Sequence, residues 1–134
     1  MVLDWSVLAS LPAEDRALLP RSTTIRGDAF ERRFLDFMGP ERGPAFLKSM
    51  VLWNDAMAES IADFRATHPE HRVMLVVGVF HVAGKIGLVT SYAERRPGEP
   101  SAVLVMEQVE AGELSFEEDD RGEGDLIVKV RPGD

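Results

Sequence analysis

The sequence predicts an α/β fold: a short, mostly parallel sheet made of a βαβ unit and an edge strand, joined to an N-terminal helical subdomain. Three observations predict it. Residues 73–77, Val-Met-Leu-Val-Val, form an unbroken apolar run that stops at Gly78, as a strand buried on both faces does. A second apolar run, residues 101–109, follows a helical stretch, which gives the strand, helix, strand order that a parallel pair needs. Ahead of both, the chain to residue 67 repeats its apolar residues at helical spacing between prolines. All 134 residues are read as one domain, with 1–67 helical and 68–134 holding the βαβ part, an acidic loop and a C-terminal strand.

Residues 12–19 begin with a proline and two acids and are closed by Pro20, the pattern of a short helix. Gly27-Asp28 opens a second helix through Phe37, with Phe30, Phe34 and Phe37 on one face, and Met38-Gly39-Pro40 ends it. From Pro44 to about Thr67 the residues Phe46, Met50, Trp53, Met57, Ile61 and Phe64 recur at intervals of 4, 3, 4, 4 and 3. That stripe is expected to be core, with the lining of a cofactor pocket as the alternative. Asn54, Asp55 and Glu59 lie on another side of the same helix and are more polar than full burial would permit. His68-Pro69-Glu70-His71 reads as an exposed connector, because the proline breaks the helix that would align the two histidines on a metal. The strand at residues 72–77 follows, then a helix to about Arg95, a turn at 96–100, and the strand at 101–109. An acidic stretch at 117–125 is expected to be a solvated loop, and residues 126–131 alternate as an edge strand does.

Fifteen basic against 23 acidic residues leave a net charge of −8, which opposes binding to phosphate backbones, so nucleic acid is not expected as a partner. With no cysteine, the chain has no thiolate metal site, disulfide or cysteine nucleophile. No apolar run approaches the roughly 20 residues that cross a bilayer. The first residues carry an acid and no basic segment ahead of a long apolar core, so the chain as written is expected to be cytoplasmic.

Chemistry concentrates in Gly78-Val-Phe-His81 and the residues after it. Five residues separate Gly78 from Gly84-Lys85, and Ile86 stands where a phosphate loop needs a hydroxyl, so both spacing and ligand are wrong for nucleotide binding. The intervals of Gly78, Gly84 and Gly87 also fail the dinucleotide pattern. His81 falls three residues past Val77, at the carboxyl end of a predicted strand, where α/β sheets bind ligands. An imidazole there can bind a metal or haem iron, move a proton or donate a hydrogen bond; it can equally be a core histidine satisfied by a carbonyl, and both readings stand. Tyr92, the one tyrosine, is eleven residues on; over three helical turns that is about 16 Å, too far to share one iron with His81 except across a dimer. No serine-hydrolase elbow or His-Glu-x-x-His motif accompanies them.

The segment Leu52-Trp-Asn-Asp-Ala-Met-Ala-Glu-Ser-Ile61, with Gly78-Val-Phe-His81 and Gly84-Lys-Ile-Gly87, resembles the C-terminal half of the ChaN-like haem-binding proteins of the Tiki superfamily. The opening Trp5, Leu11-Pro12 and Leu19-Pro20 resemble the segment before it, and the likeness extends to about Val109. The resemblance implies a ligand site at the strand ends with Gly78 and His81 in it, and haem held by histidine and tyrosine at a dimer interface. Tyr92 matches no family tyrosine and enters only as the available phenol. The resemblance also implies an N-terminal half with an earlier Gly-Glu-x-His-type motif that these residues lack, so a metal site built from both halves is not expected and enzymatic activity is argued against. Gly87-Leu88-Val89 replaces the Gly-x-Pro ending of haem-binding relatives. The expected partners are a second copy of the chain, covering apolar strand edges, or a protein that supplies the absent half. Relatives are often exported lipoproteins, which sets the family against the cytoplasmic reading.

Three functional readings follow. The first is a haem-binding protein with His81 at the ligand. The second is a degenerate metal-dependent hydrolase, with a divalent ion on His81 and with Asp55 or Glu59 as further ligands. The third is a non-catalytic assembly domain in which these residues only hold the fold.

Overall fold

A computed structural model describes residues 5–110 and 115–131. Among the described residues, four α-helices, α1 (Trp5–Leu8), α2 (Ala13–Arg16), α3 (Ala29–Thr67) and α4 (Leu88–Arg95), accompany two strands, β1 (Leu104–Gln108) and β2 (Leu126–Val130). Short 3-10 turns occupy Val79–His81, Ala83–Lys85 and Glu118–Asp120.

The start of α3 follows from its first residues. Asp28 caps it, accepting from the Glu31 amide at 3.0 Å, and the buried Glu31 carboxylate reaches back to the Arg26 and Gly27 amides, each at 2.6 Å. The helix breaks where the sequence predicts an end, at Gly39 (φ 73°, ψ 172°), and resumes at Pro40 rather than Pro44, because a proline at the first helical position forfeits no intrahelical bond. Phe30, Phe34, Leu47 and Val51 form the core, with Phe80 packed against them. Phe37, expected beside Phe30 and Phe34, is instead 74% exposed and touches only the rim of this cluster through Phe80.

The expectation for the apolar stripe of α3 is overturned. Phe46, Trp53 and Phe64 are 51%, 58% and 41% exposed, and Met50, Met57 and Ile61 are half-buried. The buried face is the neighbouring one: Leu47, Val51, Asn54, Asp55, Ala58, Glu59 and Ala62. The reason is what lies opposite. Helix α4 and residues 21–26 present arginines, a serine and backbone amides to the polar side chains, whereas the stripe meets only partial cover: the core cluster at Met50, His81 at Trp53, His68 and His71 at Phe64, and residues 72–74 near Ser60, Ile61 and Phe64.

The predicted strand at 72–77 is also corrected. These residues join no ladder, and among the described residues none of their backbone groups pairs with a strand. Exposure alternates along them, 41% at Val73, 88% at Met74, 40% at Leu75 and 85% at Val76, the two-residue period of an extended chain with one side partly sheltered. The sheet consists of β1 and β2, parallel, in register from Leu104 opposite Leu126 to Gln108 opposite Val130. Thus the second predicted strand pairs with the predicted edge strand rather than with residues 72–77. The class is as predicted, a small α/β fold with a short parallel sheet. Asp125 fastens the sheet to the site region, its carboxylate accepting from the Val103 amide at 2.8 Å and from Lys85 Nζ at 2.6 Å.

Candidate functional site

Residues 78–81 turn sharply, and each side chain has a different destination. Val79 is left 52% exposed. Phe80 inserts among Phe30, Phe34 and Phe37, with ring centroids 6.0, 5.8 and 5.4 Å away, and anchors the turn to α3. His81 then points to the side of α3, where its Nδ1 lies 2.7 Å from Asn54 Oδ1 and its ring 6.3 Å from that of Trp53. Asn54 is 2% exposed while Trp53, its neighbour in sequence, is 58% exposed, so the imidazole sits at the boundary between the buried polar face and the open apolar stripe. Burial pushes the His81 pKa below its ordinary value, which keeps the ring neutral near pH 7.

Gly87 closes the other side of the histidine. It adopts φ 64° and ψ −110°, and a Cβ placed there would lie 2.7 Å from Phe30 Cδ2, 2.9 Å from the His81 carbonyl and 3.0 Å from Asn54 Nδ2. Only glycine lets the backbone pass this close before entering α4. Gly78 is under no such constraint: a Cβ there meets only His81 Cδ2, at 3.8 Å. In the Gly84-Lys-Ile-Gly87 motif it is the last glycine that packs directly against His81 and Asn54.

Immediately beyond Asn54 and again one turn further, charges replace the amide. Asp55, fully buried, accepts from Ser91 Oγ at 2.8 Å, Arg26 Nη2 at 3.0 Å and Arg95 Nη1 at 3.2 Å. Glu59 accepts from the Arg21 amide at 2.9 and 3.1 Å and lies 3.6 Å from Arg95 Nε. Both carboxylates are thus neutralised by arginines and hold α3, α4 and residues 21–26 together. Among the described residues no three His, Asp or Glu side chains are grouped to hold a metal ion.

Tyr92 belongs to a different neighbourhood. Burial and then the Glu99 carboxylate push its phenol above the ordinary value, and Arg65 and Arg96 are its charged surroundings. Among the described residues no hydrogen bond or ring contact joins Tyr92 to His81, whose partners are Asn54 and Trp53. His68 and His71 stack and edge onto Phe64, and His71 Nδ1 pairs with Glu70 at 2.6 Å, a surface cluster remote from the 78–81 turn.

Sequence reasoning singled out His81 as a candidate and did not pair it with Asn54. Asn54 was visible only as a polar residue on a helix; the readable signal was Leu47, Val51, Ala58 and Ala62 at helical spacing with it, a small-residue face that a neighbouring helix can approach.

A family model described as haem-binding uptake, Tiki superfamily, ChaN, matches residues 4–92, which span α1 to the middle of α4 and include Asn54, His81 and Gly87. No curated protein and no solved structure matches the chain.

Proposed function

The chain belongs to the haem-binding uptake family of the Tiki superfamily, ChaN, and on that premise we propose that it binds haem, with His81 as the ligand to the iron. The observation that carries the reading is the placement of His81 between buried Asn54 and exposed Trp53, with Nδ1 taken by the amide. The donor set fits the group: a neutral imidazole is a common protein ligand to haem iron, and the exposed ring of Trp53 beside it suits an apolar macrocycle. Haem, when bound, supplies the iron; the chain's own residues orient one imidazole and offer an apolar face beside it.

A divalent-metal site on His81, Asp55 and Glu59 has no observation in its favour, since arginines and Ser91 already hold both carboxylates. We propose the homodimer as the working assembly, because residues 72–77 carry exposed apolar side chains on a backbone with no strand partner, the kind of edge that a second chain covers. Tyr92 of a second copy is the phenol available to such an assembly. Among the described residues no helix is long and apolar enough to cross a membrane.

The test is a haem titration followed at the Soret band on the wild type, His81→Ala and Tyr92→Phe. Saturable binding that weakens at least tenfold in His81→Ala supports the assignment. Equal binding by wild type and His81→Ala refutes it, and a loss in Tyr92→Phe as well places ligation across the dimer.

A further inference from the structure

We propose that Asn54 is a positioning residue that fixes His81 as the Nδ1–H tautomer, so that Nε2 is the nitrogen whose lone pair is offered to a ligand. The inference rests on the reading of His81 as the ligand-binding residue, and it deepens that reading by saying which nitrogen acts and what sets it.

The contact of 2.7 Å joins His81 Nδ1 to the Oδ1 of Asn54, an oxygen that carries no proton. A hydrogen bond between them therefore requires the proton on Nδ1. A neutral imidazole has only one N–H, so Nε2 is left bare. The amide is itself held in place. Asn54 is 2% exposed, and the backbone of Gly87 passes so close that a Cβ there would come within 3.0 Å of its Nδ2. Asp55, the next residue, is clamped by Ser91, Arg26 and Arg95, which pins the rotation of α3 beneath the histidine. Phe80 holds the other end of the contact by anchoring the turn that carries His81. An imidazole whose second nitrogen donates to a fixed acceptor is the usual arrangement of a ligating histidine, because that bond sets both tautomer and ring orientation. A buried asparagine can supply it without adding a charge.

The tautomer is read directly from the ring nitrogen shifts of histidine-labelled, ligand-free protein by long-range proton–nitrogen NMR at pH 8, where the ring is neutral. The expected result is a pyrrole-type Nδ1 and a pyridine-type Nε2 for His81 in the wild type. Asn54→Asp, which keeps an acceptor oxygen in the same place, should retain it. Asn54→Leu, similar in size without an acceptor, should give the mixed-tautomer average and bind haem roughly 10–100-fold more weakly. A wild-type Nε2–H tautomer overturns the proposal whether or not any variant folds, and so does an unchanged tautomer in folded Asn54→Leu. Since these readings need no haem, a wild type with the fixed tautomer but a flat Soret titration upholds the role of Asn54 while rejecting haem as the ligand.

Discussion

Helix α3 has two faces that reverse the usual order of inside and outside. On one, Asn54, Asp55 and Glu59 are 2%, 0% and 9% exposed; on the other, Phe46, Trp53 and Phe64 are 51%, 58% and 41% exposed. The polar face is buried because each of these side chains meets a partner of the right kind: an imidazole for Asn54, and a serine hydroxyl, guanidinium groups and the Arg21 and Thr24 amides for the two carboxylates. The apolar face is open because the described chain brings nothing large enough to cover it, and residues 72–77 beside its end are as exposed as it is. Burial here is decided by complementarity, and hydropathy alone ranks the two faces the wrong way round.

The comparison breaks most sharply at Asp55. Asp55→Ala leaves Arg26 and Arg95 facing a void without their shared counter-charge, and should lower the unfolding free energy by about 3–5 kcal/mol in urea melts. Gly87→Ala comes next. Its Cβ would press on Phe30, the His81 carbonyl and Asn54 in a conformation that side chains avoid, at a cost of about 3 kcal/mol, whereas Gly78→Ala should stay within about 0.5 kcal/mol of wild type. On the open face the same experiment should register little: Met74→Lys or Val76→Lys should shift stability by about 0.5 kcal/mol or less in the monomer but reduce self-association in sedimentation runs.

Smaller effects appear on titration. Glu99 is held at a pKa of about 2, against an ordinary 4.5, by hydrogen bonds from Arg65 and then Arg96. The unfolded chain therefore takes up this proton first on acidification; stability from the group is complete above about pH 4.5 and is lost as pH falls toward 2, a slope that Glu99→Gln should remove from urea midpoints measured against pH. His81 acts in the same direction at higher pH. Burial depresses its pKa from 6.5, so its contribution is full above that value and declines as pH falls through the lower folded one; His81→Phe should flatten this part of the profile.

What the sequence could and could not reveal follows the same division. Local signals were legible: the Asp28 cap, the break at Gly39 and the end of α4 at Arg95 all lie within a few residues of their causes. Helical spacing correctly located an apolar stripe on residues 46–64 yet could not say which face another element would cover, since that depends on Ser91 and Arg95, some forty residues away. Residues 72–77 read as a buried strand because their composition is that of one; whether a strand pairs is a property of its neighbours. The link from His81 to Asn54, 27 residues apart, was likewise beyond any local pattern.

Chemical rescue tests the account's central claim most directly. His81→Gly, titrated with haem at the Soret band with and without added imidazole, should lose binding and regain it when free imidazole fills the vacated position beside Asn54 and Trp53. Haem binding by His81→Gly that equals wild type and ignores imidazole would contradict the account, and would mean that the family's ligand is held elsewhere on the chain.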